Sequence, residues 1–403
     1  MDLKESMRCQ EDVALSITKH LFSKEDYQQK NLIFSPLSLH AVLSVMAAGS
    51  DGNTLNELLS FLRFDSIDHL TTFFSQVISP VLFSNDAADA SSNHLCFANG
   101  MWIDDSLSLS HSFKQLVATH YNATLASVDF KTKGDQVHHE VNSWVEKETN
   151  GLITQLLPPR TVSNLTRLIF ANALPFKGEW KHKFEAKPIK YNFYLLNGTS
   201  VKIASMGSKK KEHLISVFDG FKVLGLPYKQ GRDKMHGFTM YIFLPDAKDG
   251  LFSIIEKLAS ESSFLNDKFP QQEVRVRRFV IPKFKISFTI EASDVLKEMG
   301  VVSPFSQRDA GFTKMVEEVN SPLDKLYVES MIHKAFIEVN DEKTEASAST
   351  LIRARAMRGG TSAALTGIDF VADHPFLFLI REDFSGTILF VGQVLDPLDG
   401  TTN

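Results

Sequence analysis

The sequence predicts a single α+β unit in which helices dominate the first third of the chain and strands dominate the rest. Apolar residues recur at helical spacing over 11–21, 37–48 and 53–62, as expected for helices that bury one face. From Arg167 onward, apolar residues form the short alternating or continuous runs that are typical of strands. No internal repeat, linker or low-complexity segment divides the 403 residues, so we expect one domain over 1–403.

Capping and turn residues set the limits of these elements. Ser35 and Pro36 begin the second helix, because a serine side chain caps helix amide groups and proline fits the first turn. A later helix surrounds Trp144 and, with a short second turn, occupies 136–157, and another is predicted over 293–299. Strands are predicted over 101–103, 168–174, 222–226, 240–244, 275–288 and 326–339, and a buried antiparallel hairpin over 376–380 and 387–394.

Composition and charge restrict the classes of function. Hydrophobic residues make up 43% of the chain and charged residues 23%, which is typical of globular proteins. The net charge of -5 argues against nucleic acid as the main partner. No run approaches the ~18 apolar residues of a membrane span, and charges occupy residues 1–16 where a signal peptide needs an apolar stretch. We expect a cytoplasmic or nucleocytoplasmic protein without a membrane partner, and leave unconventional export open.

The usual motifs of catalysis and metal binding are missing from the sequence. It contains no G-x-S-x-G elbow, no Gly-rich phosphate loop, no C-x-x-C pair and no H-E-x-x-H helix. His138, His139 and Glu140 lack a second histidine at metal-binding spacing, so we interpret them as a helix surface. Cys9 and Cys96 are predicted to be free thiols. We expect neither enzymatic activity nor a metal or cofactor.

Two groups of basic residues remain without an assigned function. The run Lys209, Lys210 and Lys211 either attracts a polyanion or an importin or is a solvated turn, and we favour the turn. Arg275 and Arg277 alternate with apolar neighbours, which is typical of a strand with one face in water. We therefore interpret both groups as surface charges.

The segment from Asp341 to Gly367 differs in composition from the rest of the chain. Small and polar residues come first, followed by three arginines and a pair of glycines: Ala346, Ser347, Ala348, Ser349, Thr350, Arg353, Arg355, Arg358, Gly359 and Gly360. Its few large apolar residues form no stripe that a core element would need. We therefore expect an exposed loop here.

Six stretches, spread over nearly the whole chain, resemble the serpin family of serine protease inhibitors. They are NLIFSPLSLHAVLSVMAAGSDGNT, VNSWVEKETNGLI, LIFANALPFKGEW, KVLGLPY, YVESMIHKAFIEVN and DFVADHPFLFLIREDFSGTILFVGQVLDP. Two stretches, RLIFANALPFKGEW and HPFLFLIREDFSGTILFVG, are most similar to the sequences of plant serpins. The resemblance implies a fold of three β-sheets and about nine helices, with an exposed reactive-centre loop over about 341–368.

The resemblance also implies a function. In the family, a protease cleaves the loop, is held as an acyl-enzyme, and is displaced as the loop inserts into the large sheet as an extra strand. We therefore expect a metastable, monomeric inhibitor whose partner is a trypsin-like serine protease or a papain-like cysteine protease. The alternative is a non-inhibitory serpin that acts as a chaperone, carrier or storage protein.

The hinge, residues 343–350, has the alternation that insertion requires, because a strand points alternate side chains to opposite faces of a sheet. One set, Thr344, Ala346, Ala348 and Thr350, is small, and the other, Glu345, Ser347 and Ser349, is polar. No proline occurs between Pro322 and Pro375, so every backbone donor is available. Inhibitory members usually carry glycine where this chain has Lys343. Because lysine restricts the backbone more than glycine does, we expect slower insertion. This residue is the main support for a non-inhibitory serpin.

Two adjacent bonds are candidates for cleavage. Counting from Thr344 with the commonest family spacing places the bond between Met357 and Arg358, which suits a chymotrypsin-like pocket. The local sequence AMRGG resembles plant loops in which a basic residue precedes a small one, which places the bond between Arg358 and Gly359. We favour Arg358 as the specificity residue, because a trypsin-like pocket gives arginine a buried charge pair.

The resemblance implies further residues that act mechanically and not catalytically. A polar cluster under the centre of the large sheet, where its strands part, is formed by Ser35, Ser38, Asn172 and His333. Trp180 lies near the top of that sheet, where the loop enters.

Overall fold

The computed structural model describes residues 2–83, 94–184, 189–230, 236–260, 264–265, 267–317, 326–341 and 367–400. The predicted hinge at 343–350 and the candidate reactive residues Met357, Arg358 and Gly359 lie outside these described residues. Within the predicted loop at about 341–368, Asp341 and Gly367 are described, and Ile368 is the first residue of a strand.

Most of the helices among the described residues lie in the first half of the chain. They are α1 (Leu3–Phe22), α2 (Pro36–Ala48), α3 (Gly52–Leu62), α4 (Ile67–Phe73), α5 (Ser79–Leu82), α6 (His111–Leu116), α7 (Gly134–Glu148), α8 (Leu251–Ser260) and α9 (Ala292–Glu298). The Ser35 side chain caps α2 by accepting a hydrogen bond from the backbone N–H of Ser38, as its sequence position predicts. The helix predicted within 136–157 ends earlier, at Glu148, because Asn150 and Gly151 take positive φ angles of 51° and 77°.

The strands are β1 (Leu32–Phe34), β2 (His94–Leu95), β3 (Ala98–Asp104), β4 (Thr124–Val128), β5 (Leu168–Lys177), β6 (Ile189–Tyr194), β7 (Ser200–Met206), β8 (Glu212–Phe218), β9 (Phe221–Pro227), β10 (Phe238–Pro245), β11 (Glu273–Pro282), β12 (Phe284–Glu291), β13 (Ser330–Val339), β14 (Ile368–Val371), β15 (Phe376–Glu382) and β16 (Ile388–Val394). The single strand predicted over 275–288 is two strands in different sheets. Pro282 ends the first, because proline has no N–H to extend a ladder.

The strands form two hydrogen-bonded sheets among the described residues. The six-stranded sheet has the order β12-β13-β5-β3-β4, with β2 also paired to β5. The ten-stranded sheet has the order β1-β16-β15-β10-β9-β8-β11-β7-β6, with β14 paired to β11. Two of the three expected sheets are continuous here, because β11 pairs with β8 through residues 273–275 and with β7 through 281–282. The α+β fold class is confirmed.

Two apolar cores lie on opposite faces of the six-stranded sheet. On one face, the buried valines of α7 pack against a group that includes Ala171 of β5 and Ile332 of β13. The larger core lies on the other face and includes α2, whose residues are all buried. Burying apolar surface stabilises a fold by roughly 25 cal/mol per Å², so both cores hold the central strands. Among the described residues, no helix is both long and apolar enough to cross a membrane.

Candidate functional site

The centre of the six-stranded sheet consists of two parallel strands that pair directly. Residues 330–337 of β13 lie in register with 169–176 of β5. The outer neighbours, β12 and β3, are antiparallel to them. Because β5 and β13 run in the same direction, the chain leaves β13 at the end of the sheet where β5 also ends. A segment that turned back at this end would run antiparallel to both strands, and it would fit between them if they separated.

A polar cluster lies between α2 and this central pair. The Nε2 atom of His333 accepts a hydrogen bond from the backbone N–H of Ser35 at 3.0 Å. Its Nδ1 atom lies 2.7 Å from Oδ1 of Asn172, which also accepts a hydrogen bond from the Ser38 hydroxyl. Because Nε2 accepts, Nδ1 must carry the proton and donate a hydrogen bond to Oδ1 of Asn172. The four residues named from the sequence therefore meet in one network, while their part in sheet opening stays a prediction.

Burial sets the charge state of this cluster. The His333 side chain has no exposed surface, and desolvation lowers its pKa from 6.5 to about 3. The ring is therefore neutral at physiological pH, in agreement with its acceptor role. The Nδ2 group of Asn172 has no hydrogen-bond partner among the described residues. A buried unsatisfied donor costs about 1–3 kcal/mol, so the sheet is less stable than it would be if the Nδ2 group of Asn172 had a partner.

Asn99 extends the same row of polar residues and was not found from the sequence. Register places Asn99 of β3 beside Asn172 of β5, which is beside His333 of β13. All three are buried, so three adjacent strands carry a polar side chain at one level of the sheet. An asparagine inside an otherwise apolar strand was the available signal.

Trp180 lies at the end of the sheet where β5 and β13 both finish. Its indole N–H donates to the carbonyl oxygen of Asn340 at 2.8 Å, one residue after β13. The indole ring stacks on Tyr228, with a centroid separation of 4.3 Å and an interplanar angle of 15°. The Tyr228 hydroxyl is buried without a partner among the described residues, and desolvation raises its pKa well above the usual value. Trp180 thus holds the backbone at the point where the chain leaves the sheet.

Two ion pairs reinforce the same end. Lys177 of β5 lies 3.3 Å from Glu338 of β13, so this pair spans the two central strands. Lys283 lies 2.5 Å from Asp341, at the start of the predicted loop. All four side chains are partly exposed, and ion pairs in contact with solvent contribute about 0–1 kcal/mol, so these contacts order the end of the sheet without locking it.

Lys334 ties β13 to the segment that follows α7. Its side chain is only 6% exposed, and Nζ donates to the carbonyl oxygen of Gln155 at 2.8 Å. Desolvation lowers the pKa of this lysine, because a charge in an apolar environment is unfavourable. The segment after α7 covers the face opposite to the His333 cluster, so a strand that entered between β5 and β13 would disturb this contact. A lysine inside the apolar run MIHKAFIEV was the sequence signal that went unused.

Two features bear on other classes of site. Cys9 and Cys96 are free thiols, as predicted. Within the described part of the chain, no group of three or more His, Cys, Asp or Glu residues is arranged to hold a metal ion.

Comparison with known proteins assigns the family. The model of the family described as serpin (serine protease inhibitor) matches residues 8–397. Serpin-ZX of Arabidopsis thaliana is 48% identical over 404 residues, which cover 99% of this chain and 100% of that protein. Serpin-Z1C of Triticum aestivum is 45% identical over 399 residues, which cover 98% of each.

A solved structure agrees with these relatives. The Arabidopsis AtSerpin1 structure, described as a native stressed conformation, superposes with a TM-score of 0.87 at 47% identity and covers 99% of both chains. The expected similarity to plant serpins is confirmed, and family membership supports protease inhibition in general. The chain belongs to the serpin family of serine protease inhibitors.

Proposed function

We propose that this protein inhibits proteases as a suicide substrate, by inserting its cleaved loop between β5 and β13. The observation that carries the proposal is the direct parallel pairing of these strands, with the chain leaving β13 at the end where both strands finish. An inserted segment would run antiparallel to both neighbours. It would replace one parallel ladder with two antiparallel ladders, which are slightly more stable per residue.

The hydrogen-bond energy is sufficient to drive such a change. β5 and β13 are each ten residues long, which bounds the length of a strand that could pair along both. At a net contribution of ~0.5–1.5 kcal/mol per hydrogen bond, about ten additional bonds would contribute roughly 10 kcal/mol. This energy is comparable with the whole stability of a typical domain. The alternation of small and polar residues in the hinge suits passage between two strands that are covered on both faces.

The chemical step joins the loop to the protease. The catalytic hydroxyl or thiol attacks the carbonyl carbon of Arg358, the bond to Gly359 breaks, and the new amine of Gly359 takes the proton. Arg358 is then held as an ester or thioester of the protease. Insertion of the loop before water hydrolyses this bond leaves a covalent complex. Cleavage at Arg353 or Arg355 would leave a shorter tether and release the protease.

The favoured targets are trypsin-like serine proteases, with papain-like cysteine proteases as a second class, because both cut exposed loops. The inhibitor acts as a monomer, and we place it in the cytoplasm or nucleocytoplasm. A non-inhibitory serpin remains the competing function, since Lys343 stands at the hinge where inhibitory members usually carry glycine.

One incubation separates the two functions. Purified protein is mixed with trypsin at several molar ratios and resolved on a denaturing gel, with residual protease activity measured in parallel. A band at the summed mass, together with lost activity, supports trapping. Loop cleavage with full retention of activity contradicts it and supports a non-inhibitory role.

Mass spectrometry of the released C-terminal peptide identifies the bond. A new N-terminus at Gly359 supports Arg358 as the specificity residue. An N-terminus at Arg358 supports Met357, and one at Ala354 or Ala356 contradicts both assignments.

A further inference from the structure

A strongly basic surface lies between the two described ends of the chain that flank the predicted loop. It is formed by three segments that are distant in sequence, and we define it by Lys181, Lys183, Lys209, Lys211 and Arg275. All five side chains are exposed. We call it the basic surface.

Backbone contacts fix the three segments side by side. The backbone N–H of Val276 donates to the carbonyl oxygen of Lys211 at 2.8 Å. Arg275 is in register with Glu212. The segment that carries Lys181 and Lys183 follows Trp180 and ends at Phe184, whose ring stacks on Phe279 of β11 at a centroid distance of 5.9 Å. The basic surface is therefore a property of the fold and not of one lysine run.

The same segments hold both ends of the chain around the predicted loop. At the N-terminal end, Trp180 donates to Asn340. At the C-terminal end, β14 pairs in parallel with β11, with Val276 in register with Ile368. Arg277 adds a bidentate ion pair to Asp369, with both N–O distances at 3.1 Å. Both described ends of the chain around the loop are therefore held by the segments that carry the basic surface.

Acidic neighbours neutralise only part of this charge. Glu273 lies 2.5 Å from Lys210, Asp369 pairs with Arg277, and Glu212 lies across from Arg275. Among the described residues, Lys181, Lys183, Lys209 and Lys211 have no ion-pair partner within salt-bridge distance. The surface therefore keeps a net positive charge despite the chain's net charge of -5.

A small cavity opens within this surface. Its volume is about 80 Å³, and its lining includes Trp180, Lys181, His182, Lys210, His213 and Glu273. A cavity needs only about 10–15 Å³ of this kind of volume to hold a water molecule, so there is room here for a group at least as large as a carboxylate. His213 stacks on Phe279 at 4.1 Å, and its burial lowers its pKa to about 4, so this wall is neutral. Lys210 is paired with Glu273 in this lining, so Lys181 supplies the unpaired positive charge of the cavity.

We propose that the basic surface docks an acidic face of the target protease while the loop occupies the active site of that protease. The proposal rests on the proposed function only in requiring that a protease cuts the loop. Charge complementarity next to a binding site raises association rates by about 10- to 1000-fold, and salt screens the effect. Selection among proteases of equal cleavage specificity would then depend on their surface charge.

The experiment compares two proteases with the same specificity pocket and opposite surface charge, anionic trypsin and cationic trypsin. Second-order rate constants for loop cleavage are measured at low and high NaCl. The test variant carries K181E, K183E, K209E and K211E. The matched control carries K4E, K114E, K147E and K314E, which change the net charge equally at exposed lysines of α1, α6, α7 and the 306–316 region.

We expect the test variant to be cleaved by anionic trypsin at least about tenfold more slowly than the wild type at low salt. High salt should remove this difference, and the rate with cationic trypsin should stay equal or rise. The control variant should behave as the wild type. Equal losses with both trypsins, or equal losses in the two variants, would overturn the proposal. A milder variant, K209S and K211S, together with the salt dependence of the wild type, decides the question if the fourfold variant does not fold.

The readout separates this inference from the proposed function. If cleavage depends on the four lysines but no covalent complex forms, docking stands and trapping fails. If a complex forms at rates that do not depend on these lysines, trapping stands and docking is wrong. If the lysines are needed to bind immobilised heparin but not for cleavage by anionic trypsin, the surface is a polyanion site and the proposal is wrong.

Discussion

The ring of His333 accepts a hydrogen bond from the backbone N–H of Ser35 at 3.0 Å, and it can do so only while it is neutral. His40 of α2 is also buried, and neither of its ring nitrogens has a hydrogen-bond partner among the described residues. It packs edge-on against Phe64 and Phe73. The helix beneath the central strands thus contributes to a core that contains two neutral histidines.

Acidification should destabilise the protein through these two residues. Burial lowers the pKa of both from 6.5 to about 3. Below pH 6.5 the unfolded chain binds protons that the folded chain does not bind, so the free energy of unfolding falls as the pH falls. Each histidine contributes about 1.4 kcal/mol per pH unit until the pH nears 3, and nothing above pH 7. Unfolding in urea at pH 7.5, 6.0 and 4.5 measures the slope.

A substitution isolates one of the two histidines. His40→Leu should reduce the dependence of the unfolding free energy on pH, between pH 6 and pH 4, by the contribution of one bound proton. It should also raise stability at neutral pH by about 1–3 kcal/mol, because two unsatisfied buried nitrogens are removed. His111→Gln, at an exposed position, is the surface control. An unchanged slope in His40→Leu would show that this ring is not kept neutral by burial.

Lys334→Met should stabilise the intact protein and weaken inhibition. The substitution removes a desolvated charge and keeps an unbranched side chain of similar length between β13 and the segment at Gln155. A more stable closed sheet opens more slowly, so more cleaved loops should lose the protease by hydrolysis. The melting temperature and the number of inhibitor molecules consumed per trapped protease should both rise. Lys285→Met, at an exposed lysine of β12, is the matched control. A lower melting temperature for Lys334→Met would contradict this reading.

Ala348→Arg should abolish trapping and leave cleavage intact. A large charged side chain in the small set of the hinge blocks passage between β5 and β13, whereas the bond that is cut lies downstream. Ser347→Arg, one position away in the polar set, should retain most of the trapping. Denaturing gels report both products, and equal behaviour of the two variants would show that the alternation has no role.

Cleavage within the loop should raise thermal stability markedly, because the intact fold lacks the strand that the cleaved form gains. Melting curves of intact protein and of protein nicked in the loop by a protease that it does not trap give the comparison. Loss of protein by aggregation on heating makes the apparent midpoint depend on scan rate, so both samples are heated at the same rate. Coincident midpoints would rule out insertion for this protein.

Residue types along the chain predicted where some elements begin, but they could not predict which strands pair. The start of α2 followed from Ser35 and Pro36, since capping is a local property of a few residues. The parallel pairing of β5 with β13 joins residues more than 150 positions apart, and no local pattern indicates it. Lys334 was missed because only the tertiary fold shows that the segment after α7 covers its strand.

The site residues divide in the same way. The cluster of Ser35, Ser38, Asn172 and His333 was named from family resemblance, and its hydrogen bonds required coordinates. Asn99 joins their row because register aligns β3 with β5, which the spacing of polar residues along one strand does not reveal. The lysine run at 209–211 was interpreted as an isolated solvated turn. Its neighbours Lys181 and Arg275 come from other parts of the chain.

A strand that pairs with both β5 and β13 need not come from the same chain. A backbone ladder recognises direction and spacing more than covalent connection, so a free peptide with the hinge sequence would compete with the chain's own loop. In concentrated or warm solutions the loop of a second molecule would have the same access. Each molecule filled in this way would still offer its own loop to the next. If the sheet opens as proposed for inhibition, that opening also sets an upper limit on the concentration and temperature at which the protein stays a monomer.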